Sequence, residues 1–357
     1  MKEFINYISS PMYSFSATLV LFYLMIEKVR VVGSIKFAKW GTLFLTIVGA
    51  WFMSDDVFRS VITTPDNIPI IILLFCVIFF TWFSLYKAVE NDKRIEQGLP
   101  PIEGTPENKE KVWAWPNLVY TELFVIIAGT VFLIVWAIFF KAPLEEPANP
   151  TWAPNPAKAP WYFLGLQEML VYFDPWMAGV VLPGIILVGL IALPFIDFNP
   201  KGNGYYCFKE RKFAISMFLF GWLALWVFLI LIGTFLRGPN WTFYGPFEYW
   251  DFHKVVAENN INLSEIVWIK LLNTRVPANI FIREIFGILF VIGYFVLSVP
   301  VITKLWGQKF LDKMGTIRYY ILIFLILSMS LLPLKMYLRW FFTLKYLVAM
   351  PEFELNL

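Results

Sequence analysis

Between Asn155 and Leu170 the chain reads NPAKAPWYFLGLQEML, where Trp161, Tyr162 and Phe163 follow Pro160 directly and Glu168 comes six residues after Tyr162. Prolines set a rigid backbone at low entropic cost. Trp and Tyr offer flat apolar walls with polar handles. Such a lining suits a flat ring that carries oxygens, such as a quinone head group, with Pro160, Trp161, Tyr162, Phe163 and Leu166 as its walls. Tyr162 would hydrogen-bond a ring oxygen, and Glu168 is the nearest carboxylate downstream that could accept a proton. Burial disfavours the charged form of a carboxyl, which suits a partly desolvated Glu to taking a proton near neutral pH. The same aromatic residues also fit a belt at a membrane–water interface, and Glu168 could instead face water beside Asp174. On these residues alone both readings stand.

The elements that would position such a site are membrane helices. Hydrophobic residues make up 59% of the chain and charged residues 15%, with a mean hydropathy of +0.66, far from the composition of soluble domains. A hydrocarbon core of roughly 30 Å takes about 20 mostly apolar residues per helix. Eight segments qualify: 12–28, 40–56, 67–87, 117–140, 178–197, 213–236, 284–303 and 319–338. The second is shortened by Gly41, Gly49 and the Asp55/Asp56 pair, and the last is interrupted by Pro333, Lys335 and Arg339. Long alternating runs are absent, so helices rather than a β-barrel must satisfy the backbone in lipid. The expected fold is all-α and polytopic, with about eight transmembrane spans.

Four regions follow: a three-helix membrane region at 1–88, a polar linker at 89–111, a central region at 112–240 that holds the aromatic loop, and 241–357, an outer segment with two closing helices. An amphipathic helix is expected near Leu263 to Leu272. Lys and Arg collect in alternate connections: Lys28, Arg30, Lys36 and Lys39; then Lys87, Lys93, Arg94, Lys109 and Lys111; then Lys201, Lys209, Arg211 and Lys212; then Lys304, Lys309, Lys313 and Arg318. The positive-inside rule makes that side cytoplasmic. Both termini and the loops at 57–66, 141–177 and 237–283 then face outward. The last of these also carries Arg237, Lys254, Lys270, Arg275 and Arg283, but long translocated loops obey the rule poorly. The first apolar segment lacks a small-residue cleavage site and reads as a retained span.

Several chemistries are excluded by residue type. His253 is the single histidine. A membrane haem b held between helices takes two imidazoles, so this chain cannot ligate one by itself, and His-rich metal sites and Ser-His-Asp arrangements are excluded too. His253 reads as an interfacial surface residue, with a place beside a partner's redox centre as the alternative. Cys76 and Cys207 stand on no metal-ligand spacing; Cys207 could anchor a cofactor by thioether or be an unmodified thiol. No metal site is expected. A net charge of +3 gives no reason to infer a nucleic-acid partner. Glu122 is a further acid within a span, either buried and functional or interfacial.

WPNLVYTELFVIIAGT, EPANP, APWYF and the following span with LPFID resemble, in order and spacing, the C-terminal half of cytochrome b, which occurs as a separate chain, subunit IV, in cytochrome bf complexes. Trp115, Pro116 and Asn117 open the crossing, Glu146, Pro147, Ala148 and Pro150 make the turn, and Pro160 to Tyr162 sit at the loop. The resemblance covers roughly 112–240. It implies a subunit IV-like three-helix core within a haem-free subunit of a bacterial inner-membrane quinol:cytochrome c oxidoreductase of the bc/bf type. It further implies quinol, menaquinol or ubiquinol, oxidised near the outer face, in a complex not active through this chain alone. The implied partners are a haem b-carrying cytochrome b N-terminal-like subunit, a Rieske iron–sulfur protein, c-type cytochromes and lipid. In the family an acid thought to accept a quinol proton commonly precedes Trp-Tyr, and here that position is Pro160.

Two other classes remain open on the sequence. A structural membrane anchor with a degenerate quinol site would explain the missing acid. A transporter subunit would call for paired intramembrane charges or broken helices, where this chain offers mainly Pro183, Pro194, Pro300 and Pro333, and no internal repeat is evident. The histidine count gives a direct expectation: reduced-minus-oxidised spectra of the chain expressed alone lack a b-type α band, and a stoichiometric b-haem signal would overturn the assignment of haem ligation to a partner.

Overall fold

The computed structural model describes residues 1–106, 111–141, 147–199, 205–257, 259–353 and 355–357. Glu146, Lys109 and Lys201, with part of the linker, lie outside the described residues. Helices dominate: α1 (Lys2–Ile8), α2 (Pro11–Glu27), α3 (Val29–Val32), α4 (Ile35–Met53), α5 (Asp56–Ile62) and α6 (Ile68–Glu96) form the N-terminal part. Then come α7 (Ala114–Phe139), the short α8 (Leu164–Met169), α9 (Met177–Ile196), α10 (Phe208–Leu236), α11 (Ile285–Met314) and α12 (Thr316–Phe342). Among the described residues the strands are limited to a two-residue pair, Ala349–Met350 with Leu355–Asn356.

Six of these helices are long and apolar enough to cross a membrane, or eight if each of two bent pairs is one span. The all-α polytopic fold expected from composition is therefore what the chain adopts. The bends have local causes. Pro11 occupies the first turn of α2, where its missing N–H costs nothing, and α1 meets α2 at 76°. Asp55 caps α5 by accepting from the Phe58 N–H at 2.9 Å, and α4 turns into α5 at 110°. Gly41 and Gly49 do not interrupt α4; a Cβ at either would meet nothing within 4 Å. Pro333 does not end α12, which runs on to Phe342 with Lys335 fully buried and donating to the Lys345 carbonyl.

The third expected span runs past its predicted end, and the amphipathic helix forms where it was expected. The charged run after residue 88 continues as helix to Glu96, because Asn91 and Asp92 turn inward and find partners. Asn91 donates to Glu103 at 2.8 Å and to the Tyr206 carbonyl at 3.1 Å, while Asp92 accepts the Lys209 N–H at the start of α10. The amphipathic segment near 263–272 is helical over Leu263–Glu265 and Ile266–Leu271.

Packing concentrates around α10. A core of Phe15, Met169, Tyr172, Phe173, Leu225, Phe228, Leu229, Leu332 and Met336 joins α2, α8, α10 and α12. A second cluster holds Ile26 and Val29 against Leu85, Ala88, Phe208 and Ile215. At this end Lys212 pairs with Glu27 at 2.7 Å, and Glu96 pairs with both Arg30 and Lys209. The basic residues at 28–30, 93–94 and 209–212 thus belong to helix ends that meet in space. Arg211 forks both oxygens of Asp197, at 2.8 and 2.6 Å, and so ties the exit of α9 to the start of α10; that guanidinium holds the Asp197 carboxyl below the usual carboxylate range. By contrast α7 is exposed along nearly its whole length, as a helix facing lipid can be. Glu122, also exposed, stands near its N-terminal end, where an interfacial position avoids the cost of an ionisable group at membrane depth.

The common side of these basic helix ends sets a topology expectation. A cysteine replacing exposed Gln97 in intact cells should resist an impermeant thiol reagent, while one replacing exposed Ala153 should label. The reverse pattern would put the aromatic loop on the cytoplasmic face.

Candidate functional site

The loop that carries the aromatic residues is braced from within. The Gln167 side chain accepts the Ala159 N–H at 2.8 Å and donates to the Ala157 carbonyl at 2.8 Å, so α8 holds the backbone leading into Pro160. A 3₁₀ turn, Trp161–Phe163, then enters α8. Trp161, Tyr162 and Phe163 remain 46%, 42% and 53% exposed, presenting their rings outward with Pro160. Leu166 faces the other way and packs on the core joining α8 to α10. The structure therefore brings Pro160, Trp161, Tyr162 and Phe163 together and separates Leu166 from them.

Glu168 is fully buried and does not face water beside Asp174. Arg237, at the end of α10, donates from Nε to Oε2 at 2.9 Å and from Nη2 to Oε1 at 2.6 Å. Trp241 adds its indole N–H to Oε2 at 3.2 Å, and Arg237 also donates to the Trp241 carbonyl at 3.0 Å. These are charge-assisted, bidentate bonds, the strong class of hydrogen bond. Sequence reasoning missed Arg237, which reads there as one more cation of a long outer loop; its position between the end of a span and Gly238-Pro239 was the available signal.

Close approach makes the pairing possible. A Cβ at Gly165 would meet Trp226 and Ile230 at 3.4 Å, and one at Gly233 would come within 3.2 Å of the Leu164 carbonyl. The two glycines let α8 lie directly on α10, whose final turn, Ile232–Leu236, is π-helical. Above it, Asn240 and Trp241 both adopt positive φ, 58° and 55°. That conformation is uncommon for Trp and costs of order 1–3 kcal/mol unless the surroundings hold it. The surroundings do: Asn240 N–H donates to the Asn155 side chain at 2.6 Å, the Asn155 amide donates back at 2.9 Å, and the Trp241 indole is fixed on Glu168. Lys158 closes the loop onto α10 by donating to the Thr234 carbonyl at 2.6 Å, with its ammonium 4.8 Å from the Trp250 ring centre. Burial pulls the Lys158 ammonium down to about 8.

Beneath the exposed aromatics, the Tyr162 ring lies 5.4 Å from that of Trp226. The Trp226 indole N–H is buried and, among the described residues, has no hydrogen-bond partner, although such donors are nearly always satisfied. A donor of this kind beside Tyr162 is suited to a ligand oxygen. Trp226 sits within an apolar span, where no local pattern sets it apart. His253 is exposed, its backbone N–H bonded to Asp251, and Cys207 is buried at the start of α10. Among the described residues no three His, Cys, Asp or Glu side chains cluster as metal ligands would.

Residues 147–248 match the family model described as Cytochrome b(C-terminal)/b6/petD. The matched stretch contains the braced loop, α8, α9, α10 and the Arg237 turn. It begins at Pro147, after the Trp115–Asn117 crossing, and ends at Glu248, so its bounds differ from the 112–240 resemblance. No solved structure matches the chain. The family's proteins are subunits of bc- and b6f-type electron-transport complexes in membranes.

Removing one partner of a buried ion pair leaves an uncompensated charge and costs about 3–5 kcal/mol. Glu168→Gln and Arg237→Gln should therefore each lower the thermal stability of the purified chain strongly, and the double variant should lose less than the sum of the two. Additive losses in a double-mutant cycle would show that the pair does not act as a unit.

Proposed function

We propose that this chain is the haem-free membrane subunit of a bacterial quinol-oxidising complex of the cytochrome bc/bf type, and that its 155–168 segment forms part of the quinol-oxidation pocket on the outer face. The observation that carries this reading is the family match over 147–248, which encloses an exposed aromatic loop that the fold braces from three sides. In this reading Tyr162 hydrogen-bonds one oxygen of the quinol ring and the Trp226 N–H meets a ligand oxygen as the head group settles against their rings. Trp161, Phe163 and Pro160 wall the ring and exclude water. Glu168, held by Arg237 and Trp241, is a positioning residue that fixes α8 under the loop, and its earlier-considered role as proton acceptor is the second reading. The electrons pass to a partner's Rieske centre and to haems on a cytochrome b N-terminal-like subunit, with c-type cytochromes beyond, and the protons leave at the outer surface. The protein then sits in the plasma membrane with both termini outside. The alternative of a membrane anchor with a degenerate site shares the fold and differs only in whether quinol reacts there.

Quinol-dependent haem reduction in the intact complex tests the reading. Loss of one neutral hydrogen bond is worth roughly 0.5–1.5 kcal/mol, so Tyr162→Phe and Trp226→Phe should each slow reduction about 2- to 10-fold. An unchanged rate in the double variant would leave the anchor reading. Glu168→Gln in assembled complex should lower the rate without moving its pH profile; a displaced profile would make Glu168 the proton acceptor instead.

A further inference from the structure

Lys158 puts its ammonium on the last turn of α10, donating to the Thr234 carbonyl at 2.6 Å. The Leu164 carbonyl rests against Gly233, the neighbouring position of the same helix. Residues 158–164 therefore form an arch whose two feet stand on adjacent residues of α10, and the rings of Trp161, Tyr162 and Phe163 lie between those feet. α8 continues along the same face, with Gly165 against Trp226 and Ile230, and the Tyr162 ring is 5.4 Å from that of Trp226. Trp226, Ile230, Gly233 and Thr234 thus make one stripe of α10, and the loop covers it.

The polar groups on that stripe leave donors and positive charge in excess. The Trp226 N–H and the Thr234 hydroxyl are buried and, among the described residues, have no hydrogen-bond partner. Lys158 meets a carbonyl and the face of Trp250, and among the described residues no carboxylate is in ion-pair contact with it. Glu168 of α8, whose charge reaches Lys158, is already matched by Arg237 of α10. On the segment that carries Trp250, Glu248 is paired with Lys254 at 2.5 Å, and Asp251 accepts the His253 N–H. Burial pulls the Lys158 ammonium down to about 8, which leaves it charged at neutral pH. Preorganised donors and cations in a water-poor site stabilise negative charge that develops there. From Trp226 to Thr234 the helix rises at most about 12 Å. At that range, with an effective dielectric constant of about 20, a unit charge moves a neighbouring acid by roughly one pH unit, about tenfold in ionisation. We infer that Lys158 is a positioning cation of the quinol site, favouring the anion that a bound quinol becomes when its first proton leaves, an inference that rests on the quinol-site reading above. In that step one ring O–H bond breaks, its electron pair stays on the ring oxygen, and the proton passes to water at the outer surface. No electron is transferred in it.

Inhibitor affinity in the intact complex tests this, with quinol-dependent haem reduction as the assay. The probes are a naphthoquinone bearing a hydroxyl on the quinone ring, an anion at neutral pH, and its neutral methyl ether. Lys158→Gln removes the charge while keeping an amide that can donate to the Thr234 carbonyl, and Lys158→Arg keeps the charge. Lys158→Gln should weaken the anion about 10-fold, leave the ether within about 2-fold and slow quinol oxidation at neutral pH about 10-fold, whereas Lys158→Arg should hold the affinity for both probes. A loop merely loosened by the substitution would weaken both probes alike. That result, unchanged affinity for the anion in Lys158→Gln, or an equal loss in Lys158→Arg would overturn the role of the charge and leave the quinol reading standing. If neither probe competes with quinol, or if Tyr162→Phe combined with Trp226→Phe leaves the affinity for the ether unchanged, the quinol reading itself falls, and the role of Lys158 with it.

Discussion

Glu168 and Arg237 meet 69 residues apart in sequence, in a buried fork that joins α8 to the end of α10. α8 has six residues, too few for a helix to hold by its own hydrogen bonds. Its place is fixed by what it touches. Relative to well-packed apolar side chains a buried ion pair adds little net stability, because desolvation offsets most of the attraction. Its effect is on register: sliding α8 along α10 by one turn would bury a carboxylate and a guanidinium apart, an error of several kcal/mol. The glycine contacts at Gly165 and Gly233 allow the approach, and the fork selects one of the positions the approach permits.

From that fixed point the outer surface follows. Trp241, whose indole bonds Glu168, sits in a turn of two left-handed residues, and Asn240 in the same turn exchanges hydrogen bonds with Asn155. Gln167, one residue before Glu168, holds the backbone at 157 and 159. Three exposed rings at 161–163 therefore ride on a frame whose polar groups are spent on one another. That division, rigid support below and unsatisfied aromatic surface above, is what a binding loop needs if a ligand is to settle without paying again for loop ordering.

The rest of the chain packs where lipid cannot do the work. Helix association in a bilayer depends on close packing and polar contacts more than on hydrophobicity. α2, α8, α10 and α12 share a tight aromatic core, and the ends of α2, α6 and α10 share ion pairs and the Asn91 and Asp92 contacts. Among the described residues α7 has no such groups against its neighbours and is exposed along nearly its whole length.

Membrane spans and the aromatic loop were legible in the sequence because both are local: a run of about 20 apolar residues is its own evidence, and Pro160 to Phe163 stand in one contiguous string. Helix ends were less so. Charges after residue 88 look like a linker, yet Asn91 and Asp92 are buried by partners at 103, 206 and 209 that no local pattern announces. The same limit governs the site. Glu168 is visible as an acid near an aromatic loop, but whether it takes protons from a ligand or anchors a helix depends on what faces it. Arg237, Trp241, Trp226 and Lys158 acquire their meaning only when α10 brings them under the loop. Sequence fixes which groups a chain owns and which stretches must sit in lipid. Tertiary structure alone decides which charges neutralise each other in the dry interior, and so which polar groups are left for a ligand.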